Sequence, residues 1–295
     1  MSRPRILLTG GTGQVGWELA RALAPVGEVL APGRSALDLA DADGIRRAFR
    51  DAAPALVVNA GAHTAVDRAE SEPELARALN AVAPGVLAEE AARAGVPLVH
   101  FSTDYVFDGS KGAPYREDDP TRPLGVYGRT KREGEEAVAA AGGMHLILRT
   151  SWVYGTRGHN FMLTMLRLAR EREELRVVSD QTGAPTWSRM LAEATAVILA
   201  PFRAGPGWAL PPGTSGVYHL AARGETSWHG FAEAILAADP ARAEQRCRRV
   251  VPISTEEYPT PAPRPRYSVL STERAEQAFG VALPDWREQL ALCLG

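Results

Sequence analysis

Three glycines, at positions 10, 13 and 16, stand directly between an apolar run and a helical pattern in this chain. The run is RILLT (5–9), and QVGWELARALA (14–24) follows with its apolar residues at helical spacing. A strand, a tight turn and a helix start in that order leave few folds open. Glycines there let a turn close and let an outside group approach the backbone, because no Cβ stands in the way. The first N–H groups of a helix have no partner within it, so such a turn suits a pyrophosphate. A plain glycine-rich connection is the competing reading, and the strand–turn–helix context argues against it.

The same rhythm continues. EVLA (28–31), ALVVNAGA (55–62), PLVHFST (97–103) and LILRTS (146–151) are short apolar runs, and a long helical pattern covers Glu72 to Ala94. Short apolar strands separated by helices predict an α/β fold, a Rossmann-like, doubly wound parallel sheet. After about residue 155 the regularity loosens. Helices are expected over Asn160–Arg172 and Ser188–Pro201, strands at RVVSD (176–180) and GVYHLA (216–221), and an N-capped helix at TSWHGFAEAIL (226–236). Proline gathers in PGWALPPG (206–213) and YPTPAPRPRYS (258–268), which must be extended or turning. The expected division is a dinucleotide-binding domain over 1–155 and a smaller, irregular α/β substrate lobe over 156–295, with room for the chain to cross back.

Composition removes several classes. A net charge of -2 without basic stripes argues against nucleic acid and membrane surfaces as partners. No run of 18 apolar residues occurs, and the start MSRPRILLTGGTG lacks the apolar segment of a signal peptide. Cys247 and Cys293 have no metal-ligand spacing, so no disulfide framework or zinc site is expected, and the compartment is expected to be the cytoplasm.

The second strand bears on the cofactor. A carboxylate at its end would bond the ribose hydroxyls of NAD, but EVLA runs into PGRS (32–35) instead. Arg34 suits a 2′-phosphate, which favours NADPH over NADH. A solvated loop arginine is the alternative at this position.

Lysine usage points to a second feature. Of 33 Lys and Arg residues only Lys111 and Lys131 are lysine, so position 131 has kept what nearly every other basic position lost. Tyr127 and Lys131, in YGRTK (127–131), lie four apart at the head of a helical pattern and share a face. A phenol with a pKa near 10 needs about 4 kcal/mol of preference for its anion to titrate about three units lower. A neighbouring ammonium and an oxidised nicotinamide are expected to supply it. The ammonium is compact and has three donors, whereas a guanidinium is bulkier and fixed in its fork. Thr103, or its rival Ser102, ends the strand PLVHFST where open sheets place ligands; only one of the two can face the site.

The Gly-x-x-Gly-x-x-Gly spacing and the Tyr-x-x-x-Lys pair resemble the extended short-chain dehydrogenases/reductases. NAGAHTAVDRAESEP (59–73), HFSTDYVFDG (100–109), GVYGRTK (125–131), LRTSWVYG (148–155), DQTGAPT (180–186) and YPTPAPRPRYSVL (258–270) are similar to the dTDP-4-dehydrorhamnose reductase family. That resemblance implies NADPH-dependent reduction of a 4-keto-6-deoxy sugar nucleotide to dTDP-L-rhamnose, with NADH as a further donor. By the same resemblance, Tyr127, Lys131 and Thr103 are catalytic. Gly10, Gly11, Thr12, Gly13, Gln14, Val15 and Gly16 surround the cofactor phosphates. Arg34, Asp38 and Leu39 stand at the adenosine end, and Ala62, His63, Thr64 and Phe101 line the rest, with Tyr127 and Lys131. The substrate meets Thr103, Asp104, Tyr105, Trp152, Asn160, Arg264 and Arg266. Trp152 as a core tryptophan, and Arg264 and Arg266 as solvated arginines, are the competing readings.

Some relatives dimerise through Mg²⁺, and Glu18 occupies an acidic position of the family; no full set of metal ligands follows, and a monomer or a homodimer fits. Two other functions stay open: a sugar-nucleotide epimerase or dehydratase of the same fold, and a non-catalytic regulatory subunit. Asp104-Tyr105 after the strand-end threonine, instead of an Asp-Glu pair, argues against a dehydratase. Retention of Tyr127, Lys131 and Thr103 together argues against a regulatory subunit.

Overall fold

In the computed structural model, which describes residues 3–295, the apolar runs form one parallel sheet. Its strands are β1 (Arg5–Thr9), β2 (Glu28–Leu30), β3 (Leu56–Asn59), β4 (Leu98–Thr103) and β5 (His145–Thr150), with Gly216–His219 added at the far edge. The order across the sheet is β2-β1-β3-β4-β5 and then Gly216–His219. The connections reverse direction between β1 and β3, and an open sheet of this kind binds ligands outside its carboxyl ends at that switch point.

The strands read as unbroken apolar runs because both faces are covered. Ile6, Leu8, Val58, Val99 and Leu148 pack on one side with Leu19 of α1 (Gln14–Ala22), with its C-cap Leu23, and with Leu191 and Ile198 of the helix Ser188–Leu199. Leu7, Val57, Leu98 and Ile147 point the other way, onto Ile45 and Phe49 of α2 (Ala42–Ala52) and Val86 and Leu87 further along. The alternation is the period of two that a pleated strand imposes.

The expected long helix from Glu72 is interrupted. After α3 (Val66–Ser71) come α4 (Pro73–Arg77), one wide π-type turn at Ala78–Val82, and α5 (Ala83–Ala94). Asn80, in that wide turn, is fully buried, and its amide bonds the backbone of His63 and the hydroxyl of Thr130. The turn meets α6 (Val126–Ala140), where a Cβ at Gly134 would fall 2.0 Å from Asn80 O. This distortion, which periodicity does not show, seats the helix carrying Tyr127.

The later part of the chain builds a separate apolar cluster from Tyr154, Met162, Phe231, Ile235, Trp286 and Leu290. A parallel pair, Glu174–Val178 with Arg249–Ile253, lies beside it. The helix Phe161–Glu171 starts from Asn160, whose side chain accepts from Leu163 N–H. Ser227 likewise caps Trp228–Ala238. The helices Ala42–Ala52, Glu273–Phe279 and Trp286–Leu294 were not among the expected elements. No helix among the described residues is long and apolar enough to cross a membrane.

Candidate active site

The carboxyl ends of β1, β3, β4 and β5 open into one cavity of about 590 Å³. The turn after β1 forms part of its wall. Gly10 has φ +72°, and a Cβ on it would fall 2.5 Å from Gly61 N; at Gly11 the same atom would meet Ala31 Cβ at 2.9 Å. Gly13 is the N-cap of α1, with no side chain to cap the helix and no acidic residue in its first turn. Bare donors at a positive helix end, beside a backbone that admits no Cβ, fit a pyrophosphate in shape and charge. Thr12, Gln14 and Val15 line the same wall. Gly16 does not; a Cβ there would strike Gly10 O at 2.1 Å, so this glycine lets α1 pack onto the turn.

Arg34, Asp38 and Leu39 lie at another end of the cavity. The Arg34 side chain is 77% exposed, and its nearest acid, Asp38, is 4.0 Å away, so its donors are available at the rim. Ala62, Thr64 and Phe101 line the middle, whereas His63 lies outside the lining. The His63 N–H donates to Asn80 Oδ1 at 2.7 Å, and its Nε2 stands 3.2 Å from Glu72 Oε2, so it braces the loop after β3.

Tyr127 and Lys131 both face the cavity from the first turns of α6. Gly128 lets that helix come close, since a Cβ there would fall 2.2 Å from Tyr105 O. Lys131 is 2% exposed, and its Nζ donates to Phe101 O at 2.6 Å. Burial pushes its pKa down to about 8, and the negative charge of Glu135 pulls it back. The phenol of Tyr127 is pushed up to about 12 by burial; the Thr103 hydroxyl opposes this and Asp104 adds to it. The protein's own groups do not by themselves produce the lowering expected from the ammonium and an oxidised nicotinamide together. Lys131 is turned toward a backbone carbonyl, and burial dominates the phenol. A phenol in this state carries a proton to give at neutral pH, and a bound oxidised nicotinamide would ease its release.

Ser102 and Thr103 separate as the pleat requires. Ser102 Oγ donates to Glu135 Oε1 at 2.6 Å and is committed to the fold. Thr103 Oγ1 donates to Asp104 Oδ1 at 3.0 Å and accepts from Tyr105 N–H at 3.2 Å, and the hydroxyl is near enough to the Tyr127 phenol to pull its pKa down. Asp104 is 1% exposed, and burial pushes its carboxyl up to about 7. Its Oδ2 makes no hydrogen bond of ordinary length, although the Ser268 hydroxyl is near enough to pull the pKa back. Tyr105 meets Tyr127 edge-on at 5.8 Å.

Trp152 has φ +46°, a left-handed backbone for a non-glycine residue, and its indole stacks on Trp228 at 3.5 Å. Both rings line the cavity. Strain of this kind is characteristic of sites where position matters. Asn160 lines it too, with its amide donating to Gln14 Oε1 and Gly155 O, both at 2.8 Å. Arg264 and Arg266 lie outside the lining. Arg264 is forked onto Asp67 at 3.0 and 2.9 Å, and Arg266 is exposed. Trp228, Phe161, Thr150 and Ser151 are cavity residues that the sequence reading missed. Only the fold brings Trp228 to Trp152, and no local pattern marks it. Among the described residues no group of three or more His, Cys, Asp or Glu is placed to hold a metal ion, Glu18 included.

Comparison with known proteins agrees with this geometry. The family model described as "RmlD substrate binding domain" matches residues 4–295. The dTDP-4-dehydrorhamnose reductase of Burkholderia thailandensis is 52% identical, with 98% of each chain covered. The enzyme of the same name from Shigella flexneri is 46% identical over 96% of this chain and 94% of its own. Among solved structures, the dTDP-4-dehydrorhamnose reductase of Bacillus anthracis in complex with NADP superposes with a TM-score of 0.89 at 32% identity, covering 99% of both chains. This chain belongs to the dTDP-4-dehydrorhamnose reductase family.

Proposed function

We propose that the protein reduces the 4-keto group of dTDP-4-dehydro-L-rhamnose to give dTDP-L-rhamnose, with NADPH as reductant. The observation that carries this reading is the convergence of Tyr127, Lys131 and Thr103 on one cavity whose wall is the open glycine turn. The name shared by relatives up to 52% identical over nearly the whole chain supports it. NADPH, when bound, supplies the hydride. Gly10 through Val15 would hold its phosphates, and Arg34, with its free donors, would take the 2′-phosphate.

The protein's own part is to hold the sugar and move a proton. Tyr127 gives its phenolic proton to the carbonyl oxygen as negative charge develops there. The Thr103 hydroxyl donates to the same oxygen, and its present acceptor, Asp104, is one residue away. Lys131 presents a positive charge to the same cavity. Trp152 and Trp228 offer a flat apolar wall for the sugar. In this reading residues 1–155 supply the cofactor wall and part of the sugar wall, and residues 156–295 add His159, Asn160, Phe161 and Trp228. A cytoplasmic location belongs to the same reading and accords with the two free cysteines.

The test is stoichiometry. One NADPH oxidised for each dTDP-4-keto sugar consumed, with the product identified as dTDP-L-rhamnose, is expected. Conversion of the sugar without net NADPH consumption would instead point to an epimerase.

A further inference from the structure

A buried hydrogen-bond chain crosses the sheet beneath the cavity and ends at His100, beside Lys131. The Thr9 hydroxyl donates to Asn59 Oδ1 at 2.5 Å, and the same oxygen accepts from the Gly61 backbone N–H at 3.2 Å. A backbone N–H is always a donor, so the amide oxygen of Asn59 must lie on that side and its nitrogen on the other. That nitrogen meets His100 Nδ1 at 3.0 Å. Nδ1 therefore accepts, and the neutral ring carries its proton on Nε2. An imidazolium would set two donors against each other at Asn59, so the ring is also held neutral. Burial and the charge of Lys131 hold its pKa well below the ordinary value, in the same direction. Thr9, Asn59 and His100 are each at most 1% exposed.

The Nε2–H faces Lys131 Nζ at 3.5 Å, whereas Nζ approaches Phe101 O to 2.6 Å. Two donors facing each other stand off in this way, while a donor and an acceptor close to about 2.9 Å. The ionisable groups that act on the amine are His100 from β4 and Glu135 from α6, and Tyr127 shares its cavity. Glu135 is already taken up by Arg149 of β5 at 2.7 Å, by Arg132 at 3.1 Å and by Ser102.

We propose that His100 is a positioning residue for Lys131: clamped by Asn59 as the Nε2–H tautomer, it denies the lysine a second acceptor on β4 beside Phe101 O and leaves its remaining donors for the cavity. The same N–H donates to the lysine nitrogen once that nitrogen is neutral, so it also weakens the ammonium. The inference rests on Lys131 being the lysine of the reductase site.

Having only two lysines makes this measurable without cofactor or substrate. Full-length protein carrying Lys111→Arg and ¹³C-lysine gives one side-chain signal, and its titration reports Lys131. With ¹⁵N-histidine, the His100 resonances, identified by their loss in His100→Gln, report the tautomer. Unsubstituted His100 is expected as Nε2–H throughout the neutral range. Asn59→Asp replaces the donor at Nδ1 with an acceptor. The ring should then carry its proton on Nδ1, and the proton affinity of Lys131 should rise about ten- to a hundredfold.

An Nδ1–H ring or an imidazolium in the unsubstituted protein overturns the proposal, a result that stands even if Asn59→Asp does not fold. So does a tautomer that changes while Lys131 titrates as before. A Lys131 shift without a tautomer change also overturns it, because the new carboxylate's charge is then the cause. The wrong tautomer in an active reductase sinks this proposal alone, whereas the right tautomer in a protein without reductase activity sinks the functional reading alone.

Discussion

The two ends of the cavity are built in opposite ways. Around β1 and β3 the site consists of missing atoms: glycines without Cβ, a helix start without a capping side chain, and backbone donors left open. Around β4, β5 and α6 it consists of buried polar atoms, with Lys131, Asp104, Glu135 and Arg149 each at most 2% exposed. An open backbone can take hold of a ligand's charge but has no proton to move at neutral pH. Buried side chains have shifted affinities for protons, and each needs partners to stay buried. Changes at the first end should thus act on cofactor affinity, and changes at the second on turnover and stability.

The strongest way to break this contrast is Lys131→Met, for which kcat/KM should fall by about a thousandfold. Steady-state kinetics at saturating NADPH would check it, and near-normal turnover would mean that the buried charge is not used. Next comes Glu135→Ala. Arg149 and Glu135 are 2% and 0% exposed and bonded twice at 2.7 Å. Removing the carboxylate strands a buried guanidinium and should cost about 3–5 kcal/mol in urea unfolding. A loss below about 1 kcal/mol would show that water reaches the pair.

At the cradle, Gly10→Ala sets a Cβ on a residue with φ +72°, 2.5 Å from Gly61 N. NADPH affinity should fall about tenfold or more, as read by titration of protein fluorescence, while kcat at saturation changes little. Arg34→Ala sharpens the contrast further: KM for NADPH should rise about tenfold, the size of one charge-assisted hydrogen bond, with KM for NADH steady. Equal change for both cofactors would remove Arg34 from 2′-phosphate recognition.

The smallest effect is one of pH. The pKa of Lys131 falls from 10.5 to about 8 on folding. Activity that needs the ammonium should decline as pH rises through about 8. Between those two values the unfolded chain retains a proton that the folded one has released, so this group's contribution to stability rises with pH over that window. Activity and this part of stability therefore move in opposite directions, which rate profiles and urea midpoints measured between the two values can compare.

The same contrast explains what the sequence made legible. The glycine turn is local, and strand, turn and helix start stand side by side in the chain. Tyr127 and Lys131 were also readable, because four residues on one helix share a face. The stacking of Trp228 on Trp152, the bracing of His63 by Asn80, and the fork of Arg264 onto Asp67 were not. Each joins segments far apart in the chain, and none has a spacing to announce it. The upward push that burial gives the phenol was not legible either, for a related reason. Spacing puts Lys131 near Tyr127, but only the fold shows the amine turned to Phe101 O and the ring half-buried in the cavity wall.

Tyr127→Phe, followed by single-turnover kinetics and by NADPH titration of the same preparation, tests the account most directly. It predicts reduction of the dTDP-4-keto sugar slowed by about a hundredfold or more, with NADPH affinity unchanged within about twofold. Reduction at the unsubstituted rate would contradict it, because the proton would then come from somewhere other than this phenol.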